Sequence, residues 1–164
     1  MFRYVALGLG LGATILLLIG AKKPPFSRDG VGIARFFMKL GYSKANSSGI
    51  AGNIYVESKY DPKAIGDNGT SFGLAQWHKS RWLRLNEWAL SNKVNPNNFE
   101  VQLRYIDWEL NNREKRAKEK LLESKTARDS AYNFAKYYER PKNISEERMR
   151  KAEEIFNRLK DFNA

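Results

Sequence analysis

The chain has 164 residues, enough for one domain of ordinary size and too few for two. It contains no cysteine, which excludes disulfides and thiolate metal sites, and its 13% aromatic content excludes a wholly disordered chain. A net charge of +11 points to an anionic partner: nucleic acid, a phospholipid surface or a cell-wall polymer.

The charge is unevenly spread. Residues 29–112 carry 10 basic and 8 acidic groups, whereas 113–164 carry 15 and 10. The chemistry is expected in the near-neutral middle. Tyr4–Ala21 is 18 residues without a charge, preceded by Arg3 and closed by Lys22-Lys23-Pro24-Pro25. As a helix it would be about 27 Å long, close to a hydrocarbon core, so residues 1–23 are expected to form one N-terminal transmembrane anchor. A cleaved signal peptide is the competing reading, against which Ile19-Gly20-Ala21 is a poor cleavage site. Residues 24–28 read as a linker and 29–164 as one folded domain.

Helical patterning dominates after the linker. Asp29 can cap a helix to Leu40, with Gly41 as its stop, and Ser43 can cap a second helix ending near Ser58. From Lys59 to Ala75 the pattern breaks at Asp61-Pro62, Gly66, Asp67-Asn68-Gly69 and Gly73, which is the chemistry of a loop or short β-hairpin. Helices are then expected over about 80–91 and 98–112, with Arg113–Glu123 extending the latter. Thr126 caps a helix to Tyr138, broken by Pro141, and Ser145 caps the last helix, with Glu146 and Glu147 in its first turn.

The second helix carries an unusual residue. At 100° per residue, Ile54 lies about 40° and Glu57 about −20° from Ile50, so Glu57 shares their apolar stripe near the helix C-terminus. Burial and the negative end of the helix dipole both disfavour a carboxylate there, and a carboxyl kept protonated is what a general acid needs. A buried glutamate held by N–H groups or paired with an arginine is the structural alternative. The polar loop that follows strengthens the catalytic reading. Asp67 is either a second carboxylate for glycoside chemistry or an Asx-turn residue, and the hydroxyls of Thr70 and Ser71 are placed to position a water. Trp77 adjoins Gln76 and is the tryptophan expected to face a sugar. The lone His78 and the absence of Cys leave no metal motif, and no metal or cofactor is expected. The basic run Arg113–Lys125 reads as a solvated helix face or as a grip on an anionic wall polymer.

A series of motifs occurs in order: Gly52-Asn53-Ile54, Glu57-Ser58, Gly73-Leu74-Ala75-Gln76-Trp77 with Arg81, Gln102-Leu103 with Tyr105, Glu109-Leu110, and Tyr138-Glu139-Arg140-Pro141 with Arg148. Together they resemble the phage tail-tip lysozyme family, within the lysozyme and lytic-transglycosylase superfamily, over roughly Ser43 to Ala152. The resemblance implies a mainly α fold (α+β, lysozyme-like) with a small β-hairpin, and cleavage of peptidoglycan glycan strands. It carries the catalytic acid onto Glu57, makes Gln76 a wall of the sugar cleft, and sets Tyr138 and Glu139 beside the site.

The expected function is therefore a muramidase cleaving the MurNAc–GlcNAc β-1,4 bond, associated with a virion or with phage-driven lysis. Its partners would be glycan strands and, through Tyr4–Ala21, the membrane of a lipid-containing phage or the bacterial inner membrane. Lytic transglycosylation with 1,6-anhydro products is the alternative if Asp67 does not reach the sugar. An inactive, membrane-anchored virion protein that binds nucleic acid is the alternative of another class, against which the near-neutral 29–112 segment speaks.

Overall fold

The computed structural model describes residues 26–159. The segment expected to form the membrane anchor, and the first two residues of the expected linker, lie outside them. Among the described residues no helix is long and apolar enough to cross a membrane.

Local sequence chemistry sets most boundaries. The Asp29 carboxylate accepts the N–H of Gly32 at 2.8 Å and opens α1 (Gly30–Lys39). Ser43 Oγ accepts the N–H of Asn46 at 3.0 Å and opens α2 (Lys44–Ser58), which Lys59 ends in the left-handed region at φ 52°. Three short antiparallel strands follow in the order β1 (Ile65–Gly66), β2 (Ser71–Phe72), β3 (Trp77–His78), one more strand than the expected hairpin. Asp67 and Asn68 both have positive φ, 48° and 53°, and the N–H of Gly69 returns to the carbonyl of Gly66 at 2.9 Å. Such a turn selects Asp, Asn and Gly, because their backbones tolerate the left-handed region.

Helices α3 (Lys79–Ser91) and α4 (Phe99–Asn112) follow, α4 being capped by Asn98 through the N–H groups of Glu100 and Val101. The expected extension of α4 does not occur. The N–H groups of Arg113 and Glu114 both turn back onto the carbonyl of Glu109, at 2.8 and 2.7 Å, and a separate α5 (Lys115–Glu123) begins. Thr126 caps α6 (Ala127–Phe134) as expected, but the helix does not run on regularly to Tyr138. It widens into a π-helical turn over Ala135–Glu139, which Arg140 closes at φ 57° with its N–H 2.7 Å from the carbonyl of Ala135. Turns of this type are frequent at functional sites. Ser145 precedes α7 (Glu146–Arg158) without making the expected side-chain cap bond.

Helix α2 is the axis of the molecule, packed by α1, α6 and α7. Ile50, Ala51 and Ile54 have no exposed surface, and the same helix also buries Asn46, Ser47, Ser48 and Asn53. A helix enclosed on nearly all sides cannot be apolar on one stripe alone. Two of its asparagines turn that into cross-links: Asn46 Nδ2 donates to the carbonyl of Leu121 and to Ser130 Oγ, and Asn53 Nδ2 to the carbonyls of Gly49 and Ala131. Two glycines permit the close packing. A Cβ at Gly49 would lie 2.7 Å from the Ala131 nitrogen. One at Gly52 would lie 2.8 Å from both the Arg148 oxygen and the Ala152 nitrogen. Only bare backbone lets α6 and α7 approach α2 this far.

Candidate active site

The close approach of α7 at Gly52 delivers Arg148 to the C-terminal half of α2. Arg148 Nη1 donates to Asn53 Oδ1 at 2.9 Å, and Nη2 donates to Glu57 Oε1 at 2.6 Å. The side chains of Arg148 and Glu57 are 6% and 16% exposed, so the pair is largely withdrawn from water while Glu57 keeps an opening to it. The expectation of an apolar setting for Glu57 is thus corrected: a guanidinium faces its carboxylate, brought by a helix 91 residues further along the chain.

The carboxyl forced towards its protonated form is Glu139, at the end of the π turn. Its Oε1 is shut off from solvent and has no hydrogen-bond partner. Burial pushes its pKa well above the usual carboxylate range, and the neighbouring charge of Glu57 pushes it further, against the pull of Arg81 and Arg148. The fold therefore brings together two carboxyl groups, Glu57 and Glu139, that sense each other's charge, with Arg148 on one of them. Of the two, Glu139 is the one that keeps its proton above the usual carboxylate range.

A second buried carboxylate supports this arrangement from behind. Glu109, on the inward face of α4, accepts from Trp77 Nε1 at 2.9 Å, from Arg81 Nε and Nη2 at 3.2 and 2.9 Å, and from Tyr138 Oη at 2.5 Å. Arg81 also donates to the carbonyl of Tyr138 and lies over its ring, 4.6 Å from the centroid. Tyr138 in turn stacks on Phe134 with 4.5 Å between centroids. Burial, and then the charge of Glu109, raise the pKa of the Tyr138 hydroxyl, so it stays a donor. This cluster ties β3, α3, α4 and the π turn together and so positions Glu139.

It also accounts for two of the expected site residues. Trp77 and Tyr138 have no exposed surface, and both polar atoms are taken by Glu109. Neither presents a face to solvent in this structure, and Tyr138 stands directly beside Glu139. Trp82 is only half-buried and stacks on Phe72 at 5.6 Å. With Ile65 it lines a recess of about 470 Å³ on one face of the sheet.

The other sequence-derived candidates lie on the sheet and its turns. Asp67 is exposed, and its Oδ2 accepts from Ser71 Oγ at 2.5 Å. Thr70 Oγ1 donates to the carbonyl of Asp67 at 2.8 Å. The two hydroxyls expected to position a water are thus engaged with the turn itself, and Ser71 is buried. Gln76, at φ 43°, donates from Nε2 to the carbonyl of Gly73 at 3.0 Å, and its Oε1 lies against Gly66, where a Cβ would collide with it. It braces the β1 strand. Gln102 clamps the loop ends: its Oε1 accepts the N–H of Leu74, and its Nε2 donates to the carbonyls of Pro62 and Pro96, all at 2.8 Å.

The parts played by Arg148 and Glu109 were not read from the sequence, although a signal was present. Arg148 falls on the inward stripe of Ala152 and Ile155, and Glu109 on that of Leu103, Ile106 and Leu110. A charged group on an apolar stripe is the feature that singled out Glu57.

A family model described as phage tail lysozyme matches residues 31–159. The chain belongs to the phage tail lysozyme family. This member is also 31% identical over 140 residues to Morphogenesis protein 1 of Bacillus phage B103, an alignment that takes in 77% of this chain and 38% of that protein. The chain thus spans well under half the length of that relative. All of the residues of the carboxyl pair and of the Glu109 cluster fall inside the part that matches the lysozyme family.

Proposed function

We propose that the protein is a peptidoglycan-cleaving glycosidase acting on the MurNAc–GlcNAc β-1,4 bond, with Glu57 as the proton donor and Glu139 as the neighbouring carboxyl that stays protonated beside it. The observation that carries this reading is the juxtaposition of Glu57 and Glu139 beside Arg148. A glycosidic oxygen needs a proton as its bond to C1 breaks, and a carboxyl at the site supplies it. The Glu57 side chain is 16% exposed, which leaves it open to a substrate. Glu139, its Oε1 cut off from solvent and without a partner, keeps its own proton and so sets no second negative charge beside Glu57. Arg148 orients the Glu57 carboxyl and stabilises it once the proton has left.

Two outcomes follow the cleavage. If Asp67 reaches the sugar, water completes hydrolysis. Its engagement by Ser71 and its left-handed turn geometry favour the other outcome, in which the sugar's own 6-hydroxyl closes on C1 and gives a 1,6-anhydro end. Mass spectrometry of muropeptides released from purified sacculi tests both levels: any product reports glycan cleavage, and reducing or anhydro ends report which reaction made it. Absence of any glycan cleavage would refute the proposal.

For localisation we propose single-span attachment through Tyr4–Ala21, to a viral or bacterial inner membrane, with the catalytic domain facing the wall when it acts. The support is the 18-residue uncharged run closed by Lys22-Lys23-Pro24-Pro25. Extraction with carbonate should leave the chain in the membrane pellet; release by salt alone would refute the attachment.

A further inference from the structure

On the outside of the π turn the fold builds a second concavity. It has a volume of about 420 Å³ and is lined by Arg113, Glu114, Arg116 and Ala117 around the start of α5, by Lys136 and Tyr137 of the π turn, and by Arg140 just after it. Four of these seven are cations. The single carboxylate is already occupied, because Arg140 grips Glu114 through both guanidinium nitrogens, at 2.8 and 3.1 Å. Arg113, Arg116 and Lys136 meet no carboxylate among the described residues. Their recorded partners are aromatic faces: Trp108 for Arg113, Tyr137 for Arg116, and Tyr132 and Tyr137 for Lys136, each with its charge 5.5–5.8 Å from the ring centroid. Like charges gathered around one recess repel each other, and a chain that only needed solubility would spread them.

We propose that this recess binds the phosphate groups of a phosphodiester-linked polyol polymer of the bacterial cell wall. The proposal rests on the reading of the protein as a wall-cleaving glycosidase. Guanidinium forks match phosphate oxygens two at a time, and the recess presents two such forks that no carboxylate occupies. The Tyr137 ring gives the polyol carbons an apolar surface. The outer face of α5 continues the positive field through Lys115 and Lys118, which suits a linear polyanion with a charge in every repeat. Duplex DNA fits less well. The cations converge into a concavity instead of forming a convex stripe, and Glu114, Glu119 and Glu123 interrupt the basic run of α5. The π turn carries both this recess and Glu139, so a polymer bound here holds the enzyme with its carboxyl pair close to the wall.

The test is binding of the full-length chain to a synthetic poly(glycerol phosphate) oligomer, measured by titration calorimetry at low and at physiological salt. It needs no cleavage, so failure of this proposal and failure of the glycosidase reading are distinguished. Binding that weakens with salt is expected. The Arg113→Gln/Arg116→Gln/Lys136→Gln variant should bind about tenfold more weakly or worse, as the loss of charge-assisted hydrogen bonds demands. A Lys39→Gln/Lys93→Gln/Arg150→Gln variant, with the same change in net charge elsewhere on the surface, should bind nearly as wild type. Arg116→Lys keeps the charge without the fork and should fall between. Equal losses in both triple variants would reduce the effect to net charge and overturn the site. Binding of polyglutamate as tight as that of the polyol phosphate would overturn the phosphate assignment. Tighter binding of duplex DNA, abolished by the recess variant, would assign the recess to nucleic acid instead.

Discussion

Replacing Glu57 by glutamine tests the carboxyl pair most directly, because the structure separates its chemical effect from its structural one. The amide oxygen of the introduced glutamine would stand where Glu57 Oε1 accepts from Arg148 Nη2 at 2.6 Å, and Arg148 keeps its bond to Asn53 Oδ1 at 2.9 Å. The variant loses the charge in that bond and not the bond itself, so its stability should fall by no more than about 1–2 kcal/mol. Glu57→Ala is a poorer test. It would leave a guanidinium that is only 6% exposed without its anion, a loss of about 3–5 kcal/mol that could unfold part of α7. Removing a general acid costs about 10²–10⁴ in rate. The assay is muropeptide release from purified sacculi, with thermal unfolding followed in parallel. A folded Glu57→Gln variant should show that loss at every pH. Activity within a few-fold of wild type, at an unchanged melting temperature, would remove Glu57 from the mechanism.

Glu139→Gln probes the other carboxyl through pH. Glu139 binds its proton more tightly in the folded chain than in the unfolded one, so the stability it contributes is complete below the ordinary carboxyl value of 4.5 and is lost as pH rises through the raised folded value. The variant escapes that loss, and its melting temperature should gain on wild type as pH rises from about 4; a constant difference would show that Glu139 titrates normally. Asp67→Asn should keep most activity and yield anhydro ends if Asp67 only forms its turn, whereas a rate loss of about 10² or more with reducing ends would establish it as a second catalytic carboxylate. Gly52→Ala should destabilise the chain by about 1–3 kcal/mol, since the added methyl would meet two backbone atoms of α7 at 2.8 Å. Because α7 carries Arg148, glycan cleavage should fall with it; full activity at wild-type stability would show that the helix contact is slack.

Caps and turns were legible in the sequence because their chemistry is local. Asp29, Ser43 and Thr126 bond to N–H groups three residues away, and Asp67-Asn68-Gly69 carries its own left-handed preference. Glu57 was legible for a related reason: a helix repeats its faces, so a carboxyl on an inward stripe can be counted out from Ile50 and Ile54. Tertiary structure decided what that carboxyl meets. No local rule brings Arg148 across 91 residues, and it arrives only because Gly52 lets two backbones touch. The π turn depends on packing as well, since it trades regular hydrogen bonds for the stack of Tyr138 on Phe134 and the bond to Glu109, partners on another turn and another helix. The same packing withdrew Trp77 from solvent and made Glu139 the carboxyl whose pKa is raised. Which residues could carry a proton was written along the chain. Which one holds it depends on desolvation and on the distances between charges, and those exist only once the helices are assembled.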